Sequence, residues 1–92
     1  MIRVVSIDFA KAFQRHVDCP VDSLPGATVG EVLAAYFDRH PAVRGYVLDD
    51  SGSARRHVAI FLGDDLIADR DELSDEVADG DRIHVFQALS GG

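Results

Sequence analysis

Thr28-Val-Gly-Glu-Val-Leu-Ala-Ala-Tyr-Phe37 is the stretch whose reading decides the fold. Thr28 and Glu31 stand three apart at its start, the spacing of a capping box. In that motif a threonine hydroxyl and a glutamate carboxylate satisfy backbone N–H groups that a helix end leaves open. Val29, Val32, Leu33, Tyr36 and Phe37 then recur at i, i+3, i+4, i+7 and i+8, one apolar stripe of an amphipathic helix. Pro41 disfavours helical geometry at His40 and predicts the stop. One well-marked helix therefore sits near the middle of the chain.

Extended signals lie on both sides of it. Val5, Ile7 and Phe9 alternate with Ser6 and Asp8, the period-two signature of a half-buried strand. A weaker extended stretch is expected from about Gln14 to Val21, and Asp22–Gly26 (DSLPG) reads as a loop. After the helix, residues 45–52 are mixed and end in a turn at Asp49–Gly52. His57–Leu62 alternates again, with Val58, Ile60 and Leu62 on one face and His57, Ala59 and Phe61 on the other. Gly63-Asp64 predicts a tight reversal, letting Asp65–Ala68 pair back as a short strand. Asp79-Gly80-Asp81 is a further turn, and Arg82–Ala88 is the last strand, with His84 and Phe86 opposite Ile83 and Val85.

The predicted order is ββαβββ, an α+β arrangement in which the helix covers one face of a mixed four- to five-stranded sheet. The strand before the helix and the last strand are apolar enough to be central. One main helix suits a β-grasp, the ubiquitin-like architecture, better than a ferredoxin-like fold, which needs two.

Composition narrows the function classes. Ninety-two residues make one domain, and 47% apolar with 27% charged residues is ordinary globular usage. A net charge of −7 argues against nucleic acid or an anionic membrane as partner, because phosphate binding needs a basic footprint. No apolar run reaches the ~20 residues of a membrane span. The single cysteine, Cys19, offers no internal disulfide and no Cys-rich zinc site, and is expected to be a half-buried strand residue. The four histidines show no metal-ligand spacing, although His57 and His84 could meet across strands. No phosphate-binding loop or nucleophile elbow is present. The expectation is a cytoplasmic protein that binds no metal or stable cofactor and is not itself an enzyme.

The acid is concentrated. Asp64–Asp81 holds nine acidic residues against one basic residue, Arg70, and so accounts for more than the whole net charge. Such a run is either a solvated loop face or a steering surface for a basic partner.

The sequence ends Leu89-Ser90-Gly91-Gly92. Two glycines without Cβ atoms form a thin thread that can enter a narrow channel, and a glycine carboxylate is open to attack. Residues 1–88 then read as a β-grasp domain and 89–92 as a flexible tail.

Together these residues resemble the MoaD/ThiS family of ubiquitin-like sulfur carrier proteins over nearly the whole chain. The resemblance rests on the opening strand, Gly26-Ala-Thr28-Val-Gly30 with its helix, His57–Asp65, Ala78-Asp-Gly-Asp81 and Gly91-Gly92. Gln87 stands where many members carry proline, and Gly63 where many carry asparagine. The resemblance implies that an E1-like adenylating enzyme uses ATP to activate the carboxylate of Gly92, with Gly91 giving access. A sulfur donor then converts it to a thiocarboxylate that serves a downstream sulfur-accepting synthase. Phe61, Phe86 and Ala59 are expected to form an exposed apolar patch that, with Leu89 and Ser90, contacts the activating enzyme. Two other functions are compatible with the same residues: a ubiquitin-like modifier conjugated through Gly92, and a non-catalytic β-grasp interaction module.

Overall fold

The computed structural model describes residues 2–87. The alternation of the opening residues builds β1 (Val4–Phe9), which buries Val5, Ile7 and Phe9 and turns Val4, Ser6 and Asp8 outward. A single helical turn, α1 (Lys11–Gln14), follows, and β2 (Asp22–Pro25) returns antiparallel to β1, pairing Val5 with Leu24. The main helix is α2 (Val29–Arg39), and a shorter helix, α3 (Pro41–Val47), leaves it directly. The chain closes through β3 (Val58–Leu62), the two-residue β4 (Asp65–Leu66) and β5 (Arg82–Gln87).

The five strands form one mixed sheet in the order β2-β1-β5-β3-β4. β1 and β5 are parallel, with Ile7 opposite Ile83, and the other pairs are antiparallel. All five stripe residues of α2 are buried. They pack with Val43 and Val47 of α3 against the inner rows of β1, β3 and β5, leaving the other sheet face open. The β-grasp expectation holds.

Several local expectations are corrected. Residues 14–21 are not extended: they hold the end of α1 and an irregular segment. The strand lies instead at Asp22–Pro25, where a loop was expected. That strand is also an edge rather than central, and β1 takes the place beside β5. An edge is where a strand tolerates proline, since Pro25 has no N–H to give to a second neighbour. Pro41 does end α2, but it also begins α3, because its fixed φ suits the first helical position.

The capping box is present with one shift. Thr28 Oγ1 accepts from Glu31 N at 3.2 Å, while Glu31 Oε1 accepts from Ala27 N, one residue earlier than the motif predicts. Cys19 is fully buried, and in the irregular segment rather than in a strand. Burial, helped by the charge of Asp18, pushes its thiol above the ordinary value, so it is a poor thiolate nucleophile.

Candidate functional site

The outer sheet face is built by the same alternation that builds the core. β3 turns Ala59 and Phe61 outward, and β5 turns Arg82, His84 and Phe86 outward. Pairing sets Ala59 opposite Phe86 and Phe61 opposite His84. The two phenylalanine rings meet edge to face, with centroids 5.5 Å apart and planes at 88°. Phe86 is 43% exposed. The three patch residues expected from the sequence, Phe61, Phe86 and Ala59, are therefore brought together on the open face. Leu89, Ser90, Gly91 and Gly92 lie outside the described residues.

Two components of this face were not expected. β4 places Leu66 opposite Phe61, and Leu66 is 54% exposed. Asp8 of β1 pairs with His84 of β5, and its Oδ1 touches His84 Nδ1. The imidazole also lies against Phe86, with centroids 6.0 Å apart. Phe61, Phe86, His84, Gly63 and Asp64 line an open concavity of about 510 Å³. Only the strand register could have revealed this grouping, because Asp8 and His84 are far apart in sequence and each reads as an ordinary outward polar residue. His57 does not meet His84: the register puts Phe61 there.

The acidic segment divides into two sets. Asp69 accepts from the backbone N–H groups of Asp71, Glu72 and Ser74. Asp75 accepts from those of Ala68 and Asp69, Asp79 from that of Val4, and Asp81 from that of Ala78. These four carboxylates staple the long connection between β4 and β5. The other five, Asp64, Asp65, Asp71, Glu72 and Glu76, are exposed. Of the nine, only Asp64 lines the aromatic concavity, so the acid does not form a rim around the patch. Among the described residues no cluster of three His, Cys, Asp or Glu side chains could hold a metal ion. No described helix is long and apolar enough to cross a membrane.

A five-stranded β-grasp sheet with an aromatic patch on its open face defines a ubiquitin-like protein. The ThiS family model matches residues 12–92, and the chain belongs to that family. Small archaeal modifier protein 1 of Haloferax volcanii is 33% identical over 81 residues, which cover 88% of this chain and 86% of that one. The crystal structure of the Haloferax volcanii protein superposes with a TM-score of 0.79 at 24% identity, covering 97% of this chain and 99% of that one. Mycobacterium tuberculosis CysO gives 0.78 at 23% identity over 92% and 99%. A chain of the Amycolatopsis orientalis BexX/CysO complex gives 0.72 at 22% over 96% and 99%. The structural matches establish the shared fold. The family's members, this relative among them, are small carrier and modifier proteins.

Proposed function

We propose that this protein is a sulfur carrier whose reactive group is the carboxylate of Gly92. In this reading the Gly92 carboxylate attacks the α-phosphorus of ATP on an E1-like adenylating enzyme. Pyrophosphate leaves and an acyl-adenylate forms. A sulfur donor at the oxidation level of hydrosulfide attacks the carbonyl and expels AMP, leaving a thiocarboxylate for a downstream sulfur-accepting synthase. ATP is the activating enzyme's substrate, and the carrier itself holds no cofactor. Gly91 keeps the approach to Gly92 narrow, and Leu89 and Ser90 join the contact with the enzyme.

One observation carries the reading. The Phe61–Phe86 pair on the open sheet face sits on β5 and its neighbour, and β5 is the strand that leads in sequence to Gly91-Gly92. An enzyme gripping that face has the following residues within reach, since five extended residues span roughly 16 Å.

The test is intact mass spectrometry after incubation with ATP, an E1-like enzyme and a sulfur donor. Exchange of one oxygen for one sulfur at the C-terminus supports the carrier. An unchanged mass with an enzyme that activates a related carrier sinks it. The likeness to a modifier protein favours a second reading, conjugation of Gly92 to target lysines. In that case the same activation ends in isopeptide-linked products on denaturing gels. A pure interaction module keeps all its binding when Gly92 is deleted, whereas both activated forms lose their product.

A further inference from the structure

The strand register aligns four side chains in one row across the open face: Asp8 on β1, His84 on β5, Phe61 on β3 and Leu66 on β4. The row runs from a carboxylate through an imidazole to two apolar groups. Neither the activation chemistry nor the aromatic pair requires a carboxylate and a histidine at its polar end.

Their contact fixes the ring chemistry. Asp8 Oδ1 faces His84 Nδ1, and a carboxylate facing a ring nitrogen selects the tautomer that carries the proton there. In the neutral ring Nε2 is then an acceptor. Phe86 lies beside the imidazole and Phe61 opposite it, so the ring is held between aromatic neighbours. The His84 side chain is 29% exposed, which leaves it accessible from solvent. Asp64 lines the same concavity as His84. Arg82, two residues earlier on the same face of β5, is the cation nearest in sequence to His84 on that strand.

We infer that His84, oriented by Asp8, is the polar specificity element of the docking face. It calls for a partner segment that sets an apolar side chain against Phe61, Phe86 and Leu66 and donates a hydrogen bond from an adjacent arginine or lysine to His84 Nε2. The inference rests on the carrier reading, since the partner is the adenylating enzyme. Charge complementarity selects a cation: Asp8 and Asp64 flank the imidazole from β1 and from the β3–β4 turn, and an acidic partner group meets repulsion from both.

The experiment measures the affinity of the full chain for the E1-like enzyme that produces the Gly92 mass change, by calorimetry at neutral pH. His84→Gln and His84→Asn are compared, with folding of each checked by circular dichroism. The glutamine carboxamide oxygen can take the place of Nε2, whereas the asparagine amide reaches only towards Asp8. His84→Gln should keep the wild-type affinity within about twofold, and His84→Asn should bind about tenfold more weakly. His84→Asn binding as wild type, or His84→Gln binding as weakly as His84→Asn, overturns the inference while leaving the carrier reading in place. A wild-type chain that gains no sulfur overturns both.

Discussion

Phe61 and Phe86 meet edge to face on the side of the sheet away from the helices, their ring planes at 88°. Aromatic rings favour that geometry, and such a pair contributes about 0.5–1.5 kcal/mol beyond area burial. Here the pair adds little to the core, because Phe86 is 43% exposed. Phe86→Asp is therefore expected to leave the circular dichroism spectrum intact and lower stability by no more than about that amount. The same variant should cut ATP–pyrophosphate exchange with the activating enzyme at least tenfold at sub-saturating carrier, by placing a carboxylate where the partner needs an apolar surface. Unfolding of the variant would contradict the exposed position. Undiminished exchange would detach the patch from activation.

Tyr36 is the polar member of an otherwise apolar stripe. Its side chain is buried, and its hydroxyl donates to Pro20 O at 2.7 Å, tying α2 to the segment before β2. Burial pushes its ionisation above the ordinary tyrosine value, and the negative charges of Cys19, Asp22 and Asp18 push the same way. Tyr36→Phe should cost about 1 kcal/mol at neutral pH by leaving the Pro20 carbonyl without its donor. As pH rises past about 10 the unfolded chain releases this phenolic proton while the folded chain keeps it, so folding stability declines. The phenylalanine variant lacks that contribution. Denaturant titrations at neutral and alkaline pH should show the two proteins converging as pH rises.

The sequence announces an element where one pattern repeats long enough to be unmistakable. α2 has a capping box and five stripe residues, and β1, β3 and β5 each show clear alternation. α1 spans one turn and buries only Phe13, too little for any periodicity. α3 buries Val43 and Val47, carries Gly45 in its interior and begins at a proline that equally marks an ending. β2 is made of Asp, Ser, Leu and Pro, residues that favour turns except for Leu24, and it exists because β1 offers an edge to pair with. The open sheet face divides the same way. Its phenylalanines stand out as apolar residues on the wrong face of their strands. Asp8 and His84 join them through the β1–β5 pairing, between strands distant in sequence, which no local pattern encodes. Leu66 joins through the expected β3–β4 reversal, but a two-residue strand is too short for alternation to show which face it presents.

Asp69 should dominate the acid sensitivity of the β4–β5 connection. Its carboxylate accepts from three backbone N–H groups and from Ser74 Oγ at 2.5 Å. The loop it organises holds Leu73 at φ 58°, a left-handed conformation rare for leucine, with the side chain buried. The hydrogen bonds, first that from Glu72 N, hold the carboxyl below the ordinary aspartate value. A depressed folded value stabilises the fold above the unfolded value of about 3.9, and that contribution is lost as pH falls through the folded one. Asp69→Ala should melt at a lower temperature than wild type at pH 7. The gap should close once acid has protonated Asp69 in both states. A gap that persists in acid would assign the effect to packing instead of the carboxylate.

Gly26 and Gly45 should respond to alanine in opposite directions. Gly26 joins β2 to α2, and a Cβ there would lie 2.8 Å from Val32 Cγ2 and 2.9 Å from Val32 N. Val32 is fully buried and its backbone is fixed in α2, so neither atom can yield cheaply. Overpacking of this kind costs about 1–3 kcal/mol, more than the ~0.4–1 kcal/mol that removing a glycine recovers from the unfolded chain. Gly26→Ala is therefore expected to be destabilising on balance. Gly45 lies inside α3, and a Cβ there meets nothing within 4 Å. Gly45→Ala keeps the helix-propensity gain without a clash and should stabilise by about 0.5–1 kcal/mol. Equilibrium urea unfolding of both variants decides it. Stabilisation by Gly26→Ala would mean that its close approach to Val32 does not govern the β2–α2 junction, and destabilisation by Gly45→Ala would mean that the Cβ is not free of contacts in α3.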